Sequence, residues 1–439
     1  MAMKKKPVTG MKDILPREMA IRDYAIGLIK DTYRTFGFTS VETPAVEHIE
    51  NLTSNQGGEN EKLIFKILKR GEKLDAAVEG LTPETAGNLT DSGLRYDLTL
   101  PLSRYYSNNA NDLPSPFKAL QMGPVWRADR PQRGRYRQFM QCDIDILGEP
   151  DILAETELIL ATTTLLGRLE FRNFTIRIND RRILKAMAAW SGFPEDAFEG
   201  VFITLDKMDK IGLSGVREEL LEAGFPEETV DKYLSLFGPT SQAGTGEKAD
   251  SGEAAEKSCR SIREIREKLG DFLSDEVAEN LISIILGVEG AKAADFRLQF
   301  DPTLVRGMSY YTGPIFEIAM DEYGGSVGGG GRYDEMIGKF TGQPTPAVGL
   351  SIGFERIIML LLENGFRVPG EAAKKAYLVE KGMPAEKLQK ILAKAGAERA
   401  AGITVNICVM KKNKKFQKDK LQAEGYEDIT EFFKDRDIE

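Results

Sequence analysis

Apolar residues recur at helical spacing between residues 17 and 36, where Ile21, Tyr24, Ala25, Leu28, Ile29 and Tyr33 form one stripe that Gly37 ends. The next stretch, FTSVETPAVE (38–47), alternates as a strand does until Pro44 interrupts it. Residues 66–93 are polar with scattered Gly, Pro and Thr, which predicts an extended loop or hairpin. Between 117 and 148 the pattern is strand, charged loop, strand: FKALQMGPVWR, ADRPQRGRYR and QFMQCDIDILG. A loop this short joins antiparallel strands, because a parallel crossover needs a dozen or more residues. A helix over about 150–169 and a strand FTIRIN (174–179) follow.

Residues 180–295 read as mainly helical and include one low-complexity stretch, GPTSQAGTGEKADSGEAAEK (238–257), which predicts a mobile surface loop. Strand patterns return in FRLQFDP (296–302) and PIFEIAM (314–320). GGSVGGGGRYD (324–334) reads as a glycine-dense turn, and AVGLSIGFERIIMLLL (347–362) as a strand running into a helix. After VPGEAAKK (368–375) a small α/β module begins with AYLVE, a helix at 384–400, ITVNICV and a lysine-rich helix. The fold class predicted is α+β: an antiparallel sheet with flanking helices, a helical insertion, and a small C-terminal α/β domain. The boundaries are 1–179 for the first part of the sheet domain, 180–295 for the insertion, 296–366 for its second part and 371–439 for the C-terminal domain.

Composition narrows the chemistry. Three scattered cysteines (Cys142, Cys259, Cys408) make no CxxC pair, which fits a reducing, cytoplasmic setting and argues against a structural zinc site. His48 is the one histidine of the 439 residues, so catalysis must use carboxylates, arginines, hydroxyls and backbone. No stretch reaches the roughly 18 apolar residues of a membrane span, and neither GxxxxGK[ST] nor a GxGxxG following a strand occurs. The net charge of −9 opposes bulk nucleic-acid binding but leaves room for a local basic groove.

Three segments carry the chemistry. The hairpin from Arg127 to Asp145 brings Arg127, Arg130, Arg133, Arg135 and Arg137 beside Gln141, Asp143 and Asp145. Guanidinium forks match phosphate oxygens, and a cluster of them can hold a triphosphate. Gln141, Asp143 and Asp145 alternate, so they share one face of the strand, where burial is costly unless something pairs with them. GLSIGFERI (349–357) offers small residues for close approach of a ligand and ends on Arg356, and DPTLVRGMSYYTG (301–313) sets Arg306 beside Tyr310 and Tyr311.

Taken together these segments resemble class II aminoacyl-tRNA synthetases and, within them, the histidyl-tRNA synthetase family. GFTSVETPAVE is similar to motif 1, whose proline (here Pro44) belongs to a dimer interface; FKALQMGPVWRADRPQRGRYRQFMQCDIDILG is similar to motif 2 and AVGLSIGFERI to motif 3. LRYDLTLPLSRY (94–105), LVRGMSYYTG (304–313) and GGGGRYDEMIG (328–338) look like the histidine-specific elements. The resemblance implies a cytoplasmic homodimer without membrane attachment that activates histidine with ATP and Mg²⁺ and transfers it to tRNA(His). It implies Arg127 and Arg306 as catalytic groups at the α-phosphate, and ATP binding by Arg127, Arg135, Phe139 and Arg356. Histidine binding falls to Asp97, Thr99, Gln141, Asp145, Tyr310 and Tyr311; no protein side chains are assigned to the metal. Ser309 stands where the family usually has Asp, and 371–439 is shorter than its usual anticodon-binding domain. The six lysines of KKNKKFQKDK (411–420) fit either tRNA phosphates or a solvated helix face. A rival reading is the synthetase-like, non-catalytic regulatory subunit of ATP phosphoribosyltransferase, whose relatives lose phosphate-binding arginines and the C-terminal domain.

Overall fold

A computed structural model describes residues 3–53, 60–83, 85–237, 251–305, 310–370 and 373–438. Among the described residues the strands run in chain order β1 (Thr39–Val41), β2 (Val46–His48), β3 (Lys66–Leu68), β4 (Thr90–Leu94), β5 (Phe117–Trp126), β6 (Gln138–Leu147) and β7 (Phe174–Asp180), then β8 (Arg297–Phe300), β9 (Pro314–Met320), β10 (Gly325–Arg332), β11 (Ala347–Ile352), β12 (Lys374–Val379), β13 (Thr404–Val409) and β14 (Asp428–Phe432). The chain divides into two compact units, Arg22–Asn364 with Met1–Ile14, and Gly365–Glu439 with Leu15–Ile21.

The larger unit is built on an eight-stranded sheet of order β1-β5-β6-β11-β10-β9-β7-β8. Its six inner strands pair antiparallel, while β1 lies parallel to β5 and β8 parallel to β7 at the two edges. The predicted hairpin is β5–loop–β6, with Phe117 opposite Leu147 and Trp126 opposite Gln138. Helices Leu153–Arg168 and Asp275–Ala291 bury Leu158, Ile159, Leu165, Ile284 and Ile285, none more than 1% exposed, as apolar stripes of amphipathic helices do.

GGSVGGGG is not a turn: Gly325–Arg332 is an inner strand, paired with β9 on one side and β11 on the other. Glycine is disfavoured in strands because it adds entropy and packs nothing, and it is used here where the neighbouring backbone leaves no room. A Cβ on Gly330 would overlap the carbonyl oxygen of Gly349 and lie 2.7 Å from Leu350 Cα. Of the two alternatives for residues 66–93, loop or hairpin, the hairpin is the nearer, since β3 and β4 pair antiparallel. These two strands belong to a small antiparallel sheet of order β2-β4-β3, with the helix Glu72–Glu79 between them. Of the low-complexity stretch, 238–250 lies outside the described residues, and from Ser251 the chain is helical to Leu269. That helix begins inside the predicted loop because Ala254, Ala255, Glu256 and Lys257 are good helix formers.

In the smaller unit three parallel strands, β13-β12-β14, are joined by helices Ala385–Ala400 and Lys414–Ala423. The segment GYEDITEFF (425–433) contains the third strand, and Phe432 packs edge-on against Tyr377 at 5.0 Å between ring centroids. Two of the six lysines are committed internally: Lys414 and Lys418 both pair with Glu431 of β14.

Candidate active site

Strand β6 forms the floor of the site. Cys142, Ile144 and Ile146 enter the apolar core from one face, at most 1% exposed. Gln141, Asp143 and Asp145 alternate onto the other face and line a cleft of about 540 Å³. Arg127, Arg135, Phe139, Arg356, Asp97, Thr99, Tyr310 and Tyr311 line the same cleft. Arg306 and Ser309 lie outside the described residues.

The polar row is held by specific partners. Gln141 donates its amide nitrogen to both oxygens of Asp143 (3.2 and 3.0 Å), and Ser351 of the neighbouring β11 donates its hydroxyl to Asp143. Tyr333 donates its hydroxyl to Asp145 Oδ1 at 2.6 Å. Two acceptors nevertheless have no protein partner, Gln141 Oε1 and Asp145 Oδ2, and both are shielded from water. A buried acceptor left unmatched costs about 1–3 kcal/mol, so these atoms point to a donor-bearing ligand. Asp97 accepts the backbone N–H of Leu100 at 3.2 Å, which fixes its carboxylate near the start of helix Thr99–Asn109.

Burial dominates the electrostatics of this row. It pushes Asp143 up to about 7, against the lowering effect of its bonds from Ser351 and Gln141. It also holds Asp145 well above the carboxylate range, with the charge of Asp143 adding to the effect. Between about pH 4 and pH 7 the folded protein therefore binds protons at Asp143 that the unfolded chain has released. Stability from this group falls as pH rises through that window, by a few kcal/mol at most. Denaturant titrations at pH 5 and pH 7.5 should show wild type losing more stability than Asp143→Asn; equal losses would exclude Asp143 as the titrating group.

The arginine hairpin is not a single cluster. Arg127 donates Nε to the Tyr96 carbonyl at 3.0 Å and stacks on the rings of Tyr96 (4.3 Å) and Phe139 (5.3 Å). Arg133 leaves the cleft to pair with Glu363 at 2.7 Å, and Arg137 donates to the Asp129 carbonyl at 3.1 Å, inside the loop. The loop turns through Gly134 at φ 70°, which sends successive side chains to different sides. Arg356, from the helix after β11, donates to the Ser326 carbonyl and lies 5.6 Å from the Tyr323 ring. Its neighbour Glu355 accepts both terminal nitrogens of Arg22 (2.7 and 2.9 Å) and the Met140 N–H (3.0 Å), tying this helix to β6.

Three residues with clear roles in this geometry carried none in the sequence reading. Asp143 stood in the alternating row and Ser351 among the small residues of β11, but only register places them opposite one another. Tyr333 was visible only as one letter of GGGGRYDEMIG.

A mainly antiparallel sheet whose one face carries arginines from a β5–β6 hairpin and from the helix after β11 defines the class II aminoacyl-tRNA synthetase type of fold and site. The family model described as "Histidyl-tRNA synthetase" matches residues 10–357, and the chain belongs to that family. It is 43% identical over 424 residues to the histidine–tRNA ligase of Leifsonia xyli, covering 96% of this chain and 93% of that one. It is 37% identical over 372 residues to the histidine–tRNA ligase of Christiangramia forsetii, covering 83% and 78%. The crystal structure of histidyl-tRNA synthetase from Nostoc sp. PCC 7120 has a TM-score of 0.75 at 27% identity, covering 96% of this chain and 90% of that one. A Bacillus halodurans structure described as an ATP phosphoribosyltransferase regulatory subunit/histidyl-tRNA synthetase shares the fold at TM-score 0.74 and 19% identity.

Proposed function

We propose that this protein is a histidine–tRNA ligase that activates histidine with ATP and transfers it to tRNA(His). The observation that carries the reading is the meeting, in one cleft, of Arg127, Arg135 and Arg356 with the paired acids Asp143 and Asp145. In the first step a histidine carboxylate oxygen attacks the α-phosphorus of ATP, a P–O bond forms, and pyrophosphate leaves. The carboxylate is already ionised at neutral pH, so no side chain need act as base. Arg127 neutralises charge developing on the α-phosphate, and Arg306 shares this role on the strength of its sequence segment. Arg135 and Arg356 hold the β- and γ-phosphates, and Phe139 with Arg356 encloses adenine. In the second step a ribose hydroxyl of tRNA attacks the acyl carbon and AMP leaves.

Asp97 and Thr99 take the α-ammonium, and Gln141, Asp145, Tyr310 and Tyr311 complete the histidine-binding pocket. Among the described residues no group of three or more His, Cys, Asp or Glu side chains is placed to hold a metal ion. Mg²⁺ belongs to this reading as the counterion of the ATP phosphates. We extend the proposal to a cytoplasmic homodimer formed through the segment around Pro44. Among the described residues no helix is long and apolar enough to cross a membrane. The ranges 1–179 and 296–366 would then be the catalytic domain, 180–295 an insertion and 371–439 a short anticodon-binding-like domain. A histidine-sensing subunit without catalysis is disfavoured, since the phosphate-binding arginines are kept and the curated relatives are ligases.

Amino-acid-dependent ATP–pyrophosphate exchange with all twenty amino acids tests the proposal. Exchange with histidine alone is expected. Histidine binding without exchange, or exchange driven by another amino acid, would overturn it.

A further inference from the structure

The unmatched oxygen of Gln141 has a structural cause. An amide side chain presents either a carbonyl acceptor or an NH₂ donor, and its neighbours decide which faces the ligand. Here the amide nitrogen is held by Asp143, and it lies 3.4 Å from Ser351 Oγ. Above about pH 7, where Asp143 is ionised, the carboxylate accepts only, so it selects the nitrogen and turns Oε1 away from itself. Ser351, directly opposite Asp143 in the β6–β11 register, fixes that carboxylate in turn. Gln141, Asp143 and Ser351 are thus a relay with a defined polarity, at 8% exposure for Gln141 and 3% for Asp143. It ends on Gln141 Oε1, which is buried and unpartnered.

We propose that Asp143, seated by Ser351, is a positioning residue that orients the Gln141 amide so that its carbonyl oxygen receives an N–H of the bound amino acid. This rests on histidine being the substrate and adds to that reading a residue acting through another. The N–H comes from the α-ammonium or from the imidazole ring. Neutral imidazole carries one donor and one acceptor, whereas ammonium carries three donors and no acceptor. Asp145 Oδ2 already offers an acceptor for the ring donor, which favours the ammonium at Gln141.

Asp143→Asn keeps the shape but can donate as well as accept, so the Gln141 amide loses its fixed sense. In steady-state ATP–pyrophosphate exchange we expect the KM for histidine to rise about tenfold, the lower end for one lost hydrogen bond to a charged group. The KM for ATP should stay within twofold. Ser351→Ala, which leaves β6 untouched, should move the histidine KM in the same direction by about threefold and guards against a folding failure of the first variant. On a Gln141→Ala background, Asp143→Asn should add nothing further, because the relay then has no terminus. Inhibition by imidazolepropionate, which lacks the ammonium, should be unchanged by Asp143→Asn if the ammonium is read and weakened equally if the ring is. An unchanged histidine KM in both single variants, or an undiminished effect of Asp143→Asn without Gln141, would overturn the proposal. Absence of histidine-dependent exchange in the wild type would instead overturn the assignment of function on which it rests.

Discussion

Replacing Arg127 by Ala is expected to lower the rate of histidine-dependent ATP–pyrophosphate exchange by about 10³, with histidine binding changed only a few-fold. Removing one preorganised donor from a site of developing charge costs about 10²–10³ in rate, and a full positive charge places Arg127 at the upper end. The guanidinium does not need to reorganise when ATP arrives. Its Nε is anchored on the Tyr96 carbonyl and its plane lies against the Tyr96 and Phe139 rings, which leaves the terminal nitrogens for phosphate. Arg127→Lys should therefore rescue little, since an ammonium has no Nε anchor and no planar fork. The folded state loses one hydrogen bond to a carbonyl, about 1 kcal/mol, so the variant should purify folded. Calorimetric titration with histidine and single-turnover adenylate formation separate the two effects. Exchange retained within tenfold of wild type would remove Arg127 from the chemical step.

Much of this site was legible before the fold was known, for a reason of periodicity. In QFMQCDIDIL a two-residue alternation places Gln141, Asp143 and Asp145 on one face, and the strand bears it out. The hairpin loop shows the opposite case. Five arginines within eleven residues look like one cluster in a linear reading, yet only Arg127 and Arg135 line the cleft. The direction of a loop side chain depends on φ and ψ at positions such as Gly134, which composition does not encode.

The glycine run misled for a related reason. Turn-forming residues are read as turns because a free chain bends at them, whereas β10 is held extended by two partner strands. Its glycines answer to close approach across the sheet, a property of register. Register also brings Ser351 opposite Asp143, a pairing of residues more than two hundred positions apart that no local pattern announces.

The same logic of space makes Gly349→Ala the most disruptive small substitution expected at the amino-acid end of the cleft. Gly349 lies opposite Asp145 in the β6–β11 register. A methyl group there would overlap the Asp145 carboxylate oxygen that Tyr333 holds, lie 2.9 Å from the carboxylate carbon, and lie 3.3 Å from the Tyr333 ring. Nothing in the Gly349 backbone forbids alanine, since its φ is not among the left-handed values, so the strand should form and the carboxylate must move. Displacing it breaks the Tyr333 bond and withdraws Oδ2 from the place where a substrate N–H would meet it. Sites built to hydrogen-bond a substrate lose far more than a methyl's worth of binding when that geometry fails. We expect kcat/KM for histidine to fall about 10²-fold or more while the KM for ATP stays within a few-fold, because Arg127 and Arg135 come from the hairpin and Arg356 from the helix that begins beyond the end of β11. Asp145→Asn, which keeps the bulk but not the charge, should weaken histidine less than Gly349→Ala does if position is the larger effect. A Gly349→Ala enzyme with wild-type kcat/KM for histidine would mean that the carboxylate has a second resting place and that the missing side chain at 349 serves only the packing of the sheet.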